Sequence, residues 1–152
     1  MLKINKKVEY ALMTLKYMSQ KSEHELTSAR EVCDTFGTPF DTTAKVMQAL
    51  NSASILNSVK GIKGGYGLKK SLNQISYMEL VELIEGKRPE SLCVNNKGLC
   101  ELHNKCNIIT PIDQLNNLLS SYLETLTLDE LFNGNLAMPV LKEQAQRESI
   151  KL

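Results

Sequence analysis

One glycine-rich turn constrains this chain more than any other feature. Lys60-Gly61-Ile62-Lys63-Gly64-Gly65 separates two short apolar runs, Ile55-Leu56-Asn57-Ser58-Val59 and Tyr66-Gly67-Leu68, a pattern that predicts a β-hairpin. The segments before it are helical. Ala11, Leu12, Leu15 and Met18 recur at helical spacing over residues 5–20, flanked by Tyr10 and Met13. After a polar loop, Thr27 stands as the N-cap of a short helix with Arg30 and Glu31 in its first turn. Ala29, Val32, Cys33 and Phe36 are expected to share its inner face, Cys33 as a small core residue. Gly37 ends that helix. Thr38-Pro39 then supplies the N-cap and first helical residue of a third helix over 39–51, with Thr43, Val46, Met47 and Leu50 inward. Helix, helix, turn, helix, hairpin is the order of a winged helix-turn-helix. The expected fold class is therefore mainly α with a small β-hairpin as the wing.

Beyond the wing, Ser76 caps a helix over 77–86, with Glu79 at capping-box spacing and Gly86 at its end. Thr110-Pro111 opens a longer helix to about Leu126, whose first turn Asp113 complements. Ile112, Leu115, Leu118, Leu119, Tyr122, Leu123 and Leu126 make a broad apolar stripe along it. We read this as a dimerisation helix, in keeping with the two-fold symmetry common among oligomers. Thr127-Leu-Asp-Glu130 caps a last short helix. The expected organisation is a DNA-binding unit over 1–86, a cysteine loop over 87–108, the dimerisation helix and short helix over 109–133, and a mobile tail over 134–152.

Three of the four cysteines, Cys93, Cys100 and Cys106, fall in the polar loop Cys93-Val-Asn-Asn-Lys-Gly-Leu-Cys100-Glu-Leu-His-Asn-Lys-Cys106. Thiolates are soft ligands for iron–sulfur clusters, zinc or copper(I). Structural cysteines are normally interleaved with apolar residues, and these are not, so the loop reads as a metal site with His103 as a further candidate ligand. No apolar run approaches the ~20 residues of a membrane span. The apolar stretch from Val8 to Met18 is broken by Glu9 and Lys16, unlike a signal peptide. We expect a cytoplasmic protein with no membrane partner, where clustered cysteines bind metal or do redox chemistry.

The net charge of +1 hides an asymmetry: residues 1–70 carry 11 Lys/Arg against 6 Asp/Glu, and residues 71–152 carry 7 against 11. A basic N-terminal half suits a polyanion such as double-stranded DNA. In a winged helix the third helix enters the major groove. Its outward positions are Phe40, Asp41, Thr42, Lys45 and Gln48, of types that read base edges, take a phosphate or touch a thymine methyl. Thr27 and Ser28 are expected to offer hydroxyls and helix N-terminal amides to a phosphate. In the wing, Ser58, Lys60, Gly61, Lys63, Gly64, Gly65 and Tyr66 complete the expected DNA contacts, the lysines at the tip and the glycines allowing close backbone approach.

At Ser58-Val-Lys-Gly-Ile-Lys-Gly-Gly-Tyr66 the chain resembles the wing of the Rrf-two-type bacterial transcription regulators, the family of IscR, NsrR and RirA. Val8-Glu-Tyr-Ala-Leu12 resembles the family's opening helix, and Gln74-Ile-Ser-Tyr-Met-Glu-Leu-Val-Glu-Leu-Ile-Glu-Gly86 the segment after the wing. The cysteine trio follows at the expected place, then Thr125-Leu-Thr-Leu-Asp-Glu-Leu131, like the motif after the dimer helix. The resemblance covers about residues 1–133. It implies a homodimeric regulator of an operator, repressor or activator, switched by a 4Fe-4S or 2Fe-2S cluster on Cys93, Cys100 and Cys106 and sensing iron, nitric oxide or redox state. It also implies a fourth ligand. Some members use a His three residues past the last cysteine, where this chain has Ile109. Others use an acidic residue from the partner's first helix, where it has Glu9. Some members carry a Glu at what is here Ala44.

Two other readings compete. The cysteines with His103 are enough donors for a tetrahedral zinc site or a thiol switch on the same fold. A cluster-carrying protein without DNA binding is the other, against which the Lys-rich wing argues. An enzyme is not expected: there is no nucleophile–base constellation, and the glycines from Gly61 to Gly67 lie between strands, not before a helix.

Overall fold

Side chains three or four residues apart set most of the helix boundaries. The computed structural model describes residues 4–22, 24–86 and 105–136. Helix α1 (Lys6–Ser19) starts where the Asn5 side chain accepts the Lys7 N–H. Helix α2 (Ala29–Phe36) starts at Ser28, whose hydroxyl accepts the Glu31 N–H at 3.1 Å, while the Glu31 carboxylate turns back to the Ser28 N–H at 3.4 Å. The N-cap is thus Ser28 and not Thr27, because the Thr27 backbone is already paired elsewhere. Gly37, at φ 68°, closes α2 in the left-handed region that glycine tolerates.

Helix α3 (Phe40–Ser52) starts one residue later than expected, with Pro39 as N-cap. The Thr38 hydroxyl does not cap it. It accepts a hydrogen bond from the buried Thr43 hydroxyl at 2.9 Å and lies 3.7 Å from the Cys33 sulfur. Cys33 is half-buried and not a core residue. Phe36, expected inward, is exposed and stacks edge-on against Tyr17. Val32 alone of that set is fully buried.

Strands β1 (Leu56–Val59) and β2 (Gly65–Leu68) pair antiparallel, with Leu56 opposite Leu68 and Val59 opposite Gly65. Thr27 adds an isolated bridge on the far edge of β2: Thr27 and Tyr66 exchange both backbone hydrogen bonds at 2.9 Å. The wing is thereby tied to the residue preceding the α2 cap.

A 3-10 turn (Leu72–Gln74) leads to α4 (Tyr77–Glu85). Ser76 caps α4, but the capping box expected there is not closed: Glu79 pairs with Lys70 at 2.9 Å. Helix α5 (Ile109–Thr125) begins one residue ahead of Thr110, without a side-chain cap. Helix α6 (Leu128–Asn133) has a full capping box between Thr127 and Glu130.

One core unites these elements. Val8, Leu15, Val32, Met47, Leu50, Ile55, Leu80 and Leu128 are among its fully buried side chains. The C-terminal part of the described chain docks through backbone as well: Tyr77 donates to the Leu126 carbonyl at 2.8 Å and Leu128 to that of Ile75 at 2.9 Å. Leu126 and Leu128 are therefore buried in the core of the winged helix. The upstream stretch of α5 contributes no fully buried residue, and Ile112, Leu115, Leu118 and Leu119 are exposed. Among the described residues no helix is long and apolar enough to cross a membrane. Most of the expected cysteine loop, 87–104, and of the expected tail, 137–152, lies outside the described residues.

Candidate nucleic-acid interface

Helix α3 packs against α1 and α2 on one side, and its apolar spacing sends Thr43, Val46, Met47 and Leu50 into the core. The same spacing leaves Phe40, Asp41, Lys45 and Gln48 exposed, with Thr42 half-exposed. The wing presents a second surface. Ser58, Lys60, Gly61 and Lys63 are exposed, and Ile62, between the two lysines, is fully exposed at 107%. Its turn depends on two glycines. Gly61 has φ 128°, outside the range of ordinary L residues, and a Cβ on Gly64 would run into the Val59 carbonyl. The Gly64 N–H closes the turn onto the Gly61 carbonyl at 2.9 Å.

The inner wing residues hold the hairpin in place and do not project from it. Gly65 passes so close to Thr27 that a Cβ would lie 3.1 Å from its carbonyl oxygen. Tyr66 is half-buried against the core and carries the bridge to Thr27.

At the start of α2 the expectation for Thr27 is overturned. Thr27 is 0% exposed, and its buried hydroxyl has no hydrogen-bond partner among the described residues, so it is not presented to a phosphate. The Ser28 hydroxyl is engaged in its cap, and the helix N-terminus already faces an anion, the Glu31 carboxylate. Lys21 and the Tyr17 hydroxyl both donate to Glu31. Burial acts to raise the Glu31 pKa, but the hydrogen bonds from Lys21 and Tyr17 outweigh it and hold the carboxyl below its usual range. Sequence reasoning missed the residue beside this cap. Arg30 is exposed, and its guanidinium carbon lies 5.1 Å from the Phe40 ring centroid. Only its place in the first turn of α2 was visible in the sequence. Among the described residues no carboxylate pairs with Arg30, Lys45, Lys60 or Lys63.

Of the candidate metal ligands, Cys106 is a half-buried free thiol ahead of α5. Glu9 accepts a hydrogen bond from Lys6 at 2.6 Å on the half-exposed side of α1, which pushes the Lys6 pKa up. Cys93, Cys100 and His103 lie outside the described residues, and among those described no cluster of His, Cys, Asp and Glu is placed to hold a metal ion. A shallow cavity of about 600 Å³ beside α4 is lined by Glu79, Glu82 and Glu124, whose charges disfavour a phosphate backbone.

Comparison with known proteins agrees with this architecture. The Rrf2 model, described as an iron-dependent transcriptional regulator, matches residues 4–134. The HTH-type transcriptional regulator NsrR of Shouchella clausii (strain KSM-K16) is 27% identical over 119 residues, covering 78% of each chain. Among solved structures, CymR (YrzC), the global cysteine regulator of B. subtilis, superposes with a TM-score of 0.68 at 21% identity, over 88% of this chain and 98% of its own. IscR of T. potens superposes with a TM-score of 0.64 at 18% identity, over 88% of both chains.

Proposed function

This chain belongs to the Rrf2 family of transcriptional regulators, and from that premise we propose that it is a homodimeric, operator-binding regulator switched by an iron–sulfur cluster. The observation that carries the reading is the pairing of a winged helix, basic at its wing, with three cysteines between α4 and α5. Cys93, Cys100 and Cys106 would hold the cluster, with Glu9 of a second copy as the fourth ligand and His103 as the lesser candidate. Three thiolates and a carboxylate fit such a group in chemical type, and the half-exposed Glu9 carboxylate, paired among the described residues with exposed Lys6, is accessible to another chain. When bound, the cluster supplies a redox- and iron-sensitive link whose stability depends on its ligands and exposure.

The chain's own residues connect that link to DNA. Cys106 leads within three positions into α5. The exposed stripe of Ile112, Leu115, Leu118 and Leu119 is the face that two copies bury against each other. Ligation through Cys106 would therefore set how α5 approaches its partner, and with it the spacing of the two α3 helices across successive major grooves, about 34–36 Å apart. Lys60 and Lys63 contact the backbone or minor groove at each wing. Such coupling is allosteric only if the two states differ in DNA affinity.

The test is an absorption spectrum with iron and sulfide analysis on protein purified without oxygen, followed by DNA titration before and after cluster removal. Near-equal iron and sulfide, with an affinity that changes on removal, is the expected result. Cys93→Ala, Cys100→Ala and Cys106→Ala each lose the cluster, and Cys33→Ala keeps it. Protein that stays colourless after reconstitution, and binds zinc or responds only to thiol oxidants, replaces the cluster with a thiol or zinc switch on the same fold.

A further inference from the structure

Arg30 is the second residue of α2 and Phe40 the first of α3. The helix-turn-helix brings them together, with the guanidinium carbon of Arg30 5.1 Å from the Phe40 ring centroid. Both side chains are exposed, and neither belongs to the hydrophobic core. Among the described residues no hydrogen bond or ion pair uses the guanidinium donors of Arg30. The pair therefore contributes little to folding, yet it stands at the end of α3, the helix that this fold places in the major groove.

We propose that Arg30 and Phe40 form one reading unit that recognises a guanine beside a thymine in the operator; this rests on the DNA-binding reading above. Arg30 takes the O6 and N7 atoms of guanine through two parallel hydrogen bonds, and the Phe40 ring meets the C5-methyl of the neighbouring thymine. The ring also holds the guanidinium in one orientation, so less side-chain freedom is lost on binding. Their 5.1 Å separation suits neighbouring bases, which rise about 3.4 Å along a strand. A phosphate is the poorer partner for Arg30. The Glu31 carboxylate caps α2 and is paired with Lys21, and Arg30 leans from that cap toward α3 and the bases that helix reaches, its guanidinium over the Phe40 ring.

The experiment is selection of bound duplexes from a randomised pool, followed by titration of the selected sites over a range of salt. Wild-type protein is expected to enrich a thymine–guanine step in each half-site. Arg30→Ala and Arg30→Lys should each lose about 5- to 150-fold of guanine discrimination, the range for a bidentate base contact, with the salt slope kept. Phe40→Ala should become indifferent to replacement of that thymine by uracil, which removes only the methyl group. Uniform weakening of Arg30→Ala on every duplex, with a salt slope lower by about 0.9, would make Arg30 a phosphate contact and overturn the proposal. Unchanged selection by all three variants overturns it as well. If wild-type protein binds no duplex in either cluster state, the DNA-binding reading itself fails, and this unit with it.

Discussion

Two neighbouring hydroxyls, Thr27 and Ser28, show how little separates a cap from a buried orphan. Ser28 caps α2, and Ser28→Ala should cost about 1 kcal/mol of stability in urea unfolding. Thr27 has the same chemistry one position earlier, but its backbone is spent on Tyr66 and its hydroxyl has no partner among the described residues. Thr27→Val replaces that hydroxyl with a methyl of the same shape, so stability should hold or rise, and DNA affinity should not change. A loss of affinity in Thr27→Val would restore Thr27 as a phosphate contact.

Glu31 and Lys21 add a pH dependence of known sign. The folded Glu31 pKa lies below its reference value of 4.5, so its contribution is complete above that value and is lost as pH falls through the lower folded value. For Lys21, burial acts to lower the pKa, but the hydrogen bond and charge of Glu31 outweigh it and raise the ammonium above 10.5. That contribution is complete below 10.5 and fades as pH climbs through the folded value. Glu31→Gln should therefore flatten the acid limb of a thermal-unfolding pH profile, and an unaltered limb would place the acid sensitivity elsewhere.

At the scale of elements, α5 is divided in its partners. Its C-terminal end, through Tyr122, Leu123 and Leu126, packs on the core of its own chain. Leu118, 55% exposed, and its neighbours Leu115 and Leu119 have no such cover. A stripe of that kind is stable in water when a second copy buries it. Leu118→Glu should leave the helical content intact and shift sedimentation from dimer to monomer. If wild-type protein already sediments as a monomer, the stripe has another occupant. Because the chain at the end of α5 is bonded to the backbone of Ile75 and Tyr77, any movement along the exposed stripe would be passed to the winged helix through short connections.

The whole molecule separates its charges as its sequence does. The basic half holds α3 and the wing, and the acidic half holds α4, α5 and α6. A polyanion therefore meets one end of the chain. Replacing Lys60 and Lys63 together with Ala should weaken binding on all DNA sequences and lower the salt slope by about 0.9 for each phosphate that is no longer neutralised. An unchanged slope would remove the wing tip from the interface.

The order of elements was legible in the sequence because it depends on local rules: apolar spacing for α1 and α3, glycines for the wing turn and the end of α2, and side chains three residues apart for the caps of α4 and α6. The cysteine trio stands out in the sequence as chemistry concentrated in one stretch, but Cys93 and Cys100 lie outside the described residues. The start of α2, the exposure of Phe36, the contact of Arg30 with Phe40 and the burial of Leu126 and Leu128 beneath the winged helix were decided only by tertiary structure. Each depends on which distant backbone or ring a residue meets. Periodicity names the face a side chain occupies, but the partner of that face is set by packing between segments far apart along the chain.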